Sequence, residues 1–381
     1  MHVVDTTLFF SPTSGGVKRY LTAKHAWLKA NSAHRHSILV PGPRTELVPG
    51  GVSTLAGLRL PGTFNYRLPL SLRAWTSMLS ALEPDLIEAG DPFQPAWCTW
   101  TVARRRGIPT VGFFHSDLAN TLGRRFGGGV ERAMTRYLCA VYGRFDLVLT
   151  PSRMMCGYLQ RIGLARATLQ PLGVDTEIFS PERRTLDLRR TLELPDDARL
   201  LIYAGRFSEE KNIPVLCRAM ALLGKPYHLL LVGGGRSAQP SHNVTVLPYR
   251  RDSVELAQWL ASADALLHAG SNETFGFVIA EAMACGRPVV GVRAGSIPEL
   301  VDERVGELAE LDDPISLAAA VRRLYDRGPE ALGAAARERA LQRFTWTHAM
   351  QMQLASYASV MGVARSGHAA RPAMEFGSPG S

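Results

Sequence analysis

Short, mostly apolar runs alternate with amphipathic stretches along almost the entire chain, and this alternation constrains the fold more than any other feature. The runs are "HSILVPG" (36–42), "PDLIEAG" (84–90), "PTVGFFH" (109–115) and "DLVLTPS" (146–152) in the first half. In the second half come "LLIYAGRF" (200–207), "HLLLVGGG" (228–235), "VTVLPY" (244–249), "ADALLHAG" (263–270) and "PVVGVRAG" (288–295). Strands rich in Val, Leu and Ile with no polar alternation are covered on both faces. Helix-like stretches at 17–30, 130–143, 254–262 and 316–325 lie between them. Repeated strand–helix units predict an α/β protein with doubly wound parallel sheets. At 381 residues the chain exceeds one ordinary core, and it has units enough for two such sheets. No repeat with a period of 20–50 residues is present.

The seam between the sheets is expected near 172–198, where "GVDTEIFSPERRTLDLRRTLELPDD" is polar and carries Pro181 and Pro195. The expected domains are 1–172 and 173–344. The stretch 363–381, rich in Gly, Ala, Ser and Pro, reads as a disordered tail. The five cysteines are scattered without a CxxC pair, which fits buried thiols in a reducing compartment. "MHVVDTTLFF" reads as a first strand and not as a signal, and no apolar run is long enough to span a membrane.

Charge is distributed unequally. Residues 1–180 contain 20 Lys and Arg against 11 Asp and Glu, whereas the remainder holds 23 of each. The first half therefore carries the whole net charge of +9, including Arg104-Arg105-Arg106 and Arg124-Arg125. That asymmetry suggests an anionic surface or partner for the first half.

Open α/β sheets bind ligands in loops at the carboxyl ends of their strands. Five such loops stand out. In "SPTSGGVKRYL" (11–21), Gly15-Gly16 lets backbone approach a ligand, and the next helix offers its amino terminus. In "FFHSD" (113–117), His115 sits at a strand end. In "YAGRFSEEKN" (203–212), Gly205 is followed by Arg206 and Lys211, two cations suited to a diphosphate. Their other possible partners are Glu209 and Glu210. "LVGGGR" (231–236) supplies a triple glycine.

The fifth loop, "SNETFGFVIAEAMACGRPVVG" (271–291), is the most informative. Gly276 opens a helix whose amino terminus favours a phosphate. Glu281 lies further into that helix among Val278, Ile279, Ala282 and Met283, where an unpartnered carboxylate is costly. A carboxylate accepts hydrogen bonds from vicinal hydroxyls, as ribose presents them. Glu273, before the helix, can do the same for a second sugar. A glycine that admits phosphates between two acids that hold sugars describes a nucleoside-diphosphate sugar.

With these residues in view, the chain resembles retaining glycosyltransferases of the GT-B, family-4 type, over residues 1 to about 360. "GRFSEEKN" resembles the family's G-R-x-x-x-E-K-G element and "SNETFGFVIAEAMACGRPVV" its E-x7-E element. "GGVKRYL" is similar to its first-loop glycine motif and "QPLGVDTEIFSP" to its N-G-V-D-x-x-x-F linker. "QRFTWTHAMQMQLASYASVM" resembles its terminal helix. Asn212 stands where the family usually has Gly, and Gln170-Pro171-Leu172 replaces its Asn-containing triplet.

The resemblance implies two Rossmann-like domains facing a cleft, with a terminal helix (345–362) returning to the first. Gly16 would approach the β-phosphate, and Arg206 and Lys211 would neutralise the leaving diphosphate. Glu273 would bind the transferred sugar beside the backbone of Phe275-Gly276-Phe277. Glu281 would bind the ribose, and His115 would lie near the reaction centre. Gly15 and Gly205 complete the expected donor site.

The sequence has no D-x-D triplet, so no metal or other cofactor is expected. The expected donor is a UDP- or GDP-linked sugar, with the base and sugar left open. Beyond Glu273, assigned to the sugar, no carboxylate offers itself as a nucleophile, so a front-face displacement, which the resemblance implies, is expected over a covalent one. An epimerase of the same fold and a nucleotide-binding scaffold are competing readings. The scaffold has no need of a leaving-group cradle, and acceptor-dependent release of nucleoside diphosphate separates a transferase from an epimerase.

For the acceptor, the basic first half and "DLANTLGRRFGGGVERAM" suggest a membrane lipid or lipid-linked glycan, with Arg124, Arg125 and Phe126 at an anionic membrane surface. The expected location is cytoplasmic, peripheral at the inner face of the cell membrane. A soluble glycan or small metabolite is the alternative acceptor, and nucleic acid is not an expected partner.

Overall fold

The computed structural model describes residues 1–11, 15–61, 65–235, 242–250 and 252–369. The chain divides into two compact units. The first comprises Met1–Leu149, Leu159–Thr168 and the chain from Met350 on, and the second comprises Thr150–Tyr158 and Leu169–Ala349.

The first unit is built on β1 (His2–Thr6), β2 (Arg35–Gly42), β3 (Val52–Ala56), the short hairpin β4 (Leu58–Arg59) and β5 (Arg67–Leu68), β6 (Leu86–Ala89), β7 (Thr110–Phe113), β8 (Leu147–Thr150) and β9 (Ala167–Leu169). Seven of these form one sheet in the order β3-β2-β1-β6-β7-β8-β9. All of its assigned ladders are parallel. The order reverses between β1 and β6, whose carboxyl ends therefore part around a crevice. Val4, Leu39, Trp75, Leu79, Ile87 and Val102 pack beneath one face of the sheet.

The second unit repeats the design with β10 (Arg199–Phe207), β11 (Tyr227–Gly235), β12 (Val244–Pro248), β13 (Ala265–Leu267), β14 (Val289–Val292) and β15 (Gly306–Ala309). The order is β12-β11-β10-β13-β14-β15, all parallel, with the reversal between β10 and β13. Both sheets are thus the expected doubly wound parallel type.

Every strand predicted from an apolar run is present, but several are shorter than the run. His115, Ser152 and Gly295 fall beyond the strand ends, in the loops. The edge strands β3, β9 and β15 and the β4–β5 hairpin carry weaker apolar signals and escape that reading. The last helix, Trp346–Ala369, runs past 362 because no proline intervenes before Pro372. From Met350 on it belongs to the first unit. Residues 370–381 of the expected tail lie outside the described residues.

Candidate functional site

In the second unit, the sequence-predicted residues converge on the exits of β10 and β13, at the point where strand order reverses. Gly205 and the exposed Arg206 close β10. A short turn, Glu209–Lys211, follows and carries Lys211 towards the exit of β13. Asn212 ends that turn with φ of +56°. The position needs a left-handed backbone, which explains the family's glycine and why asparagine, which tolerates that region, replaces it. The two loops are tied directly: the Ser271 N–H donates to the Glu210 carbonyl at 2.9 Å. Glu210 spends its carboxylate on the Ser208 hydroxyl, which donates to it at 2.6 Å.

Lys211 donates to Glu273 Oε1, so these two residues meet as an ion pair. The pair is shielded, with side-chain exposures of 17% and 12%. A second donor, His268 Nε2, stands 3.1 Å from the same oxygen. Burial alone would raise the Glu273 pKa, but the Lys211 charge and the hydrogen bonds from His268 and Lys211 outweigh it and hold the carboxyl well below its ordinary range. Glu273 is ionised at any physiological pH. Its own loop is fixed from behind, because its carbonyl accepts the Ser296 N–H at 2.9 Å.

Gly276 has φ of +89° and caps the helix Phe277–Ala284. A β-carbon there would press on Leu300 Cδ1 at 3.0 Å, so glycine answers both the backbone and the space. Phe275 turns its side chain into the core against Phe277 and Phe344. That leaves backbone and not ring at the mouth of the loop. Glu281 lies in the same helix at 2% exposure. The buried acid expected from the sequence is present. Gly233-Gly234-Gly235 ends β11, next to β10; Arg236 lies outside the described residues.

In the first unit, Gly15 caps the helix Gly16–Asn31 beyond β1, and residues 12–14 of that loop lie outside the described residues. The exits of β1 and β6 are joined through Asp91, which accepts from the Thr7 hydroxyl at 3.0 Å and the Leu8 N–H at 2.6 Å. Burial pushes the Asp91 carboxyl up to about 6 against these bonds. His115 follows β7 and stacks on Phe113 with ring centroids 4.0 Å apart. Burial drives its imidazole down to about 3, so it is neutral at pH 7.

Beneath this edge lies a buried polar cluster that the sequence did not reveal. Lys24, fully buried, reaches Asp5 at 2.8 Å, Glu88 at 3.2 Å and the Tyr357 hydroxyl at 2.6 Å. Gln353, one turn before Tyr357, donates to Glu88 at 3.0 Å. His36 closes the cluster on Asp5 at 2.8 Å. Burial opposes ionisation of both acids. Lys24 and His36 nonetheless hold Asp5 below its usual range, whereas burial prevails at Glu88 and raises it.

Arg124, Arg125 and Phe126 end the helix Leu118–Phe126, all exposed, Phe126 to 60%. Leu118 and Leu122 are half-buried, and Gly123 packs on Glu131 of the next helix, so the exposed basic and apolar surface is smaller than the sequence suggested. Arg104-Arg105-Arg106 belong elsewhere. They end the helix that precedes β7 and so lie at the amino edge of the sheet, whereas His115 and the helix Leu118–Phe126 follow its carboxyl edge.

His268 is the site residue that sequence reasoning missed. The criterion that selected His115, a histidine ending an apolar run, selects it equally in "ADALLHAG".

A family model described as Glycosyl transferases group 1 matches residues 198–327, and one described as Glycosyltransferase Family 4 matches residues 14–178. The GDP-mannose-dependent alpha-(1-6)-phosphatidylinositol dimannoside mannosyltransferase of Mycobacterium tuberculosis is 32% identical over 389 residues, covering 96% of this chain and 98% of the relative. The chain is a family-4 glycosyltransferase. A GDP-mannose-dependent alpha-mannosyltransferase of Corynebacterium glutamicum is 26% identical to this glycosyltransferase over 96% of its chain and 90% of the relative's. Sucrose-phosphate synthase from Thermosynechococcus elongatus shares its GT-B fold, with a TM-score of 0.78 at 22% identity over 95% of this chain and 99% of that one. Among the described residues, no helix is long and apolar enough to cross a membrane, and no group of three or more His, Cys, Asp or Glu side chains is arranged to hold a metal ion.

Proposed function

We propose that this glycosyltransferase moves mannose from GDP-mannose to a hydroxyl of a membrane lipid or lipid-linked glycan, with retention at the anomeric carbon. The observation that carries the chemistry is the Lys211–Glu273 pair at the β10–β13 switch point, flanked by Arg206 and by Glu281 in the helix opened by Gly276. The relatives' printed names supply the donor and the lipid acceptor.

Arg206 and Lys211 take the diphosphate, whose charge grows as the bond to the anomeric carbon breaks. Glu273 accepts hydroxyls of the transferred sugar, and Glu281 accepts those of the ribose. Backbone at Gly15, Gly16, Gly205 and Phe275-Gly276-Phe277 allows close approach. The acceptor oxygen attacks from the face the diphosphate leaves, and a departing phosphate oxygen takes its proton. The cations and a helix amino terminus stabilise the leaving group, so the reaction runs without a metal. His115, neutral and wedged on Phe113, offers the sugar a hydrogen-bonding edge that carries no charge.

The acceptor is met at the cytoplasmic face by peripheral binding. Exposed Arg124 and Arg125 contact anionic headgroups and Phe126 enters the boundary, each basic residue contributing about 1 kcal/mol. Two measurements test the proposal. Purified protein with GDP-mannose should release GDP only when phosphatidylinositol mannosides are supplied. Equal turnover of UDP-sugars, or release without acceptor, refutes it. Protein should sediment with anionic vesicles at low salt and be released as salt rises, less tightly for Arg124→Glu/Arg125→Glu; wild-type protein remaining in the supernatant removes the membrane part alone.

A further inference from the structure

His268 is the first residue after β13, and it is 1% exposed. Its backbone N–H donates to the Val290 carbonyl at 2.9 Å, so the end of the neighbouring strand fixes its position. Its ring lies against Tyr203, with centroids 5.7 Å apart. Nδ1 accepts the Gly270 N–H at 3.1 Å. A ring nitrogen that accepts carries no proton, so the proton sits on Nε2. Nε2 is the atom aimed at Glu273 Oε1, 3.1 Å away. The turn that sets this tautomer depends on glycine, because a β-carbon at Gly270 would stand 2.5 Å from His268 Cε1.

Lys211 donates to the same oxygen. Both donors thus occupy Oε1, and among the described residues none reaches Oε2. The two donors differ in kind. Lys211 is a point charge on a flexible stem, and an incoming diphosphate competes for it. His268 is enclosed and pinned at both ring nitrogens, so nothing draws it away.

We propose that His268 is a positioning residue for Glu273: its Nε2–H keeps Oε1 in place when Lys211 turns to the diphosphate, and so presents Oε2 to the transferred sugar. This rests on the reading of Glu273 as the sugar-binding carboxylate. A carboxylate left with only a departing lysine would lose its orientation at the moment the sugar needs it.

Steady-state kinetics with GDP-mannose and lipid acceptor test it, using His268→Phe, His268→Gln, His268→Asn and Glu273→Gln. Phenylalanine keeps the ring against Tyr203 but loses both nitrogens, glutamine can place an amide N–H near Nε2, and asparagine is too short to reach Glu273. His268→Phe and His268→Asn should lower kcat about 10- to 100-fold, the loss of a hydrogen bond to a charged group, with little change in donor KM. His268→Gln should recover most of it. The groups facing Glu273 are Lys211, His268 and Tyr203. With the His268 donor gone, the acid limb of kcat/KM should move to higher pH in the Phe and Asn variants and not in the Gln variant. In a Glu273→Gln background, His268→Phe should add less than threefold. Wild-type kcat and acid limb in His268→Phe, or a full additive loss on top of Glu273→Gln, overturns the inference. If His268→Phe does not fold, Gln behaving like Asn overturns it. Wild-type kcat in Glu273→Gln overturns the reading of Glu273 itself, and this inference with it.

Discussion

Lys24→Met should destabilise the first unit by about 3–5 kcal/mol, the cost of breaking a buried ion pair from one side. The structure allows the figure to be worked through. Methionine matches the lysine stem, so little packing is lost, and the effect isolates the ammonium. That ammonium serves Asp5 at 2.8 Å, Glu88 at 3.2 Å and the Tyr357 hydroxyl at 2.6 Å, with no exposure to solvent. Glu88 keeps donors from Tyr20, Tyr357 and Gln353, and burial already raises its pKa, so it can take a proton. Asp5 keeps the His36 imidazole, which burial holds below its ordinary pKa and so largely uncharged, and it bears most of the penalty. For a unit of this size each kcal/mol lowers Tm by about 2–4 °C, so the fall should be about 6–20 °C. Hydrogen exchange at the β1 and β6 amides reports the first unit separately. Lys24→Met/Asp5→Asn should be more stable than Lys24→Met, because the second change removes the bare charge. A loss below about 1 kcal/mol in Lys24→Met, or a double variant that loses the sum of both single losses, would refute the reasoning.

Glu281→Ala should raise donor KM by the loss of a charged hydrogen-bond partner, about 1.5–3 kcal/mol, measured by initial rates; folded protein with unchanged KM removes the ribose role. Lys211→Ala should lower kcat more than it raises KM, because leaving-group charge grows in the transition state, and wild-type activity should survive chelator; a strict need for divalent metal contradicts the metal-free reaction. Acid should weaken the fold through His115, whose pKa is about 3 when folded against 6.5 ordinarily. Between those values the unfolded chain takes up the proton, so this contribution is present above pH 6.5 and is lost as pH falls towards 3. His115→Phe should therefore show a shallower fall in urea midpoint from pH 7 to pH 5 than wild type, and equal slopes would exclude it.

The sheets were legible because each strand of a covered parallel sheet announces itself locally, as "HLLLVGGG" and "PVVGVRAG" do. The edge strand β15 was not, since half-exposed residues like Glu307 and Leu308 dilute the signal, whereas β12, also at an edge, was read from the apolar residues of "VTVLPY". The site was legible as a set of chemistries but not as a set of pairs. Glu209 and Glu210 looked like the obvious partners of Lys211, yet the lysine meets Glu273, 62 residues on. Lys24 was the harder case. In "LTAKHAW" it reads as the polar face of an amphipathic helix, and its partner Tyr357 stands 333 residues away. Periodicity reports which face of a helix is apolar. It carries no information about a cation that a distant helix has enclosed.

The Lys211–Glu273 pair also has a consequence for binding. Without ligand, each residue neutralises the other, and a shielded carboxylate is spared the cost of standing alone. In the donor site proposed above, the donor has to open this pair: the diphosphate would claim Lys211, and sugar hydroxyls would repay Glu273. A nucleoside diphosphate lacking the sugar claims the lysine but repays nothing. It should therefore bind more weakly than the charge of the site suggests, and relieving the competition should strengthen it. Glu273→Gln should tighten binding of GDP alone, by about two- to tenfold for a partly exposed pair, while Lys211→Ala should weaken it. Binding of an intact, non-transferable sugar nucleotide should not gain from Glu273→Gln, because the hydroxyls lose their acceptor. Calorimetric titration of both ligands into both variants distinguishes these outcomes. If Glu273→Gln weakens GDP, the carboxylate does not compete for Lys211, and the pair is a structural tie outside the donor site.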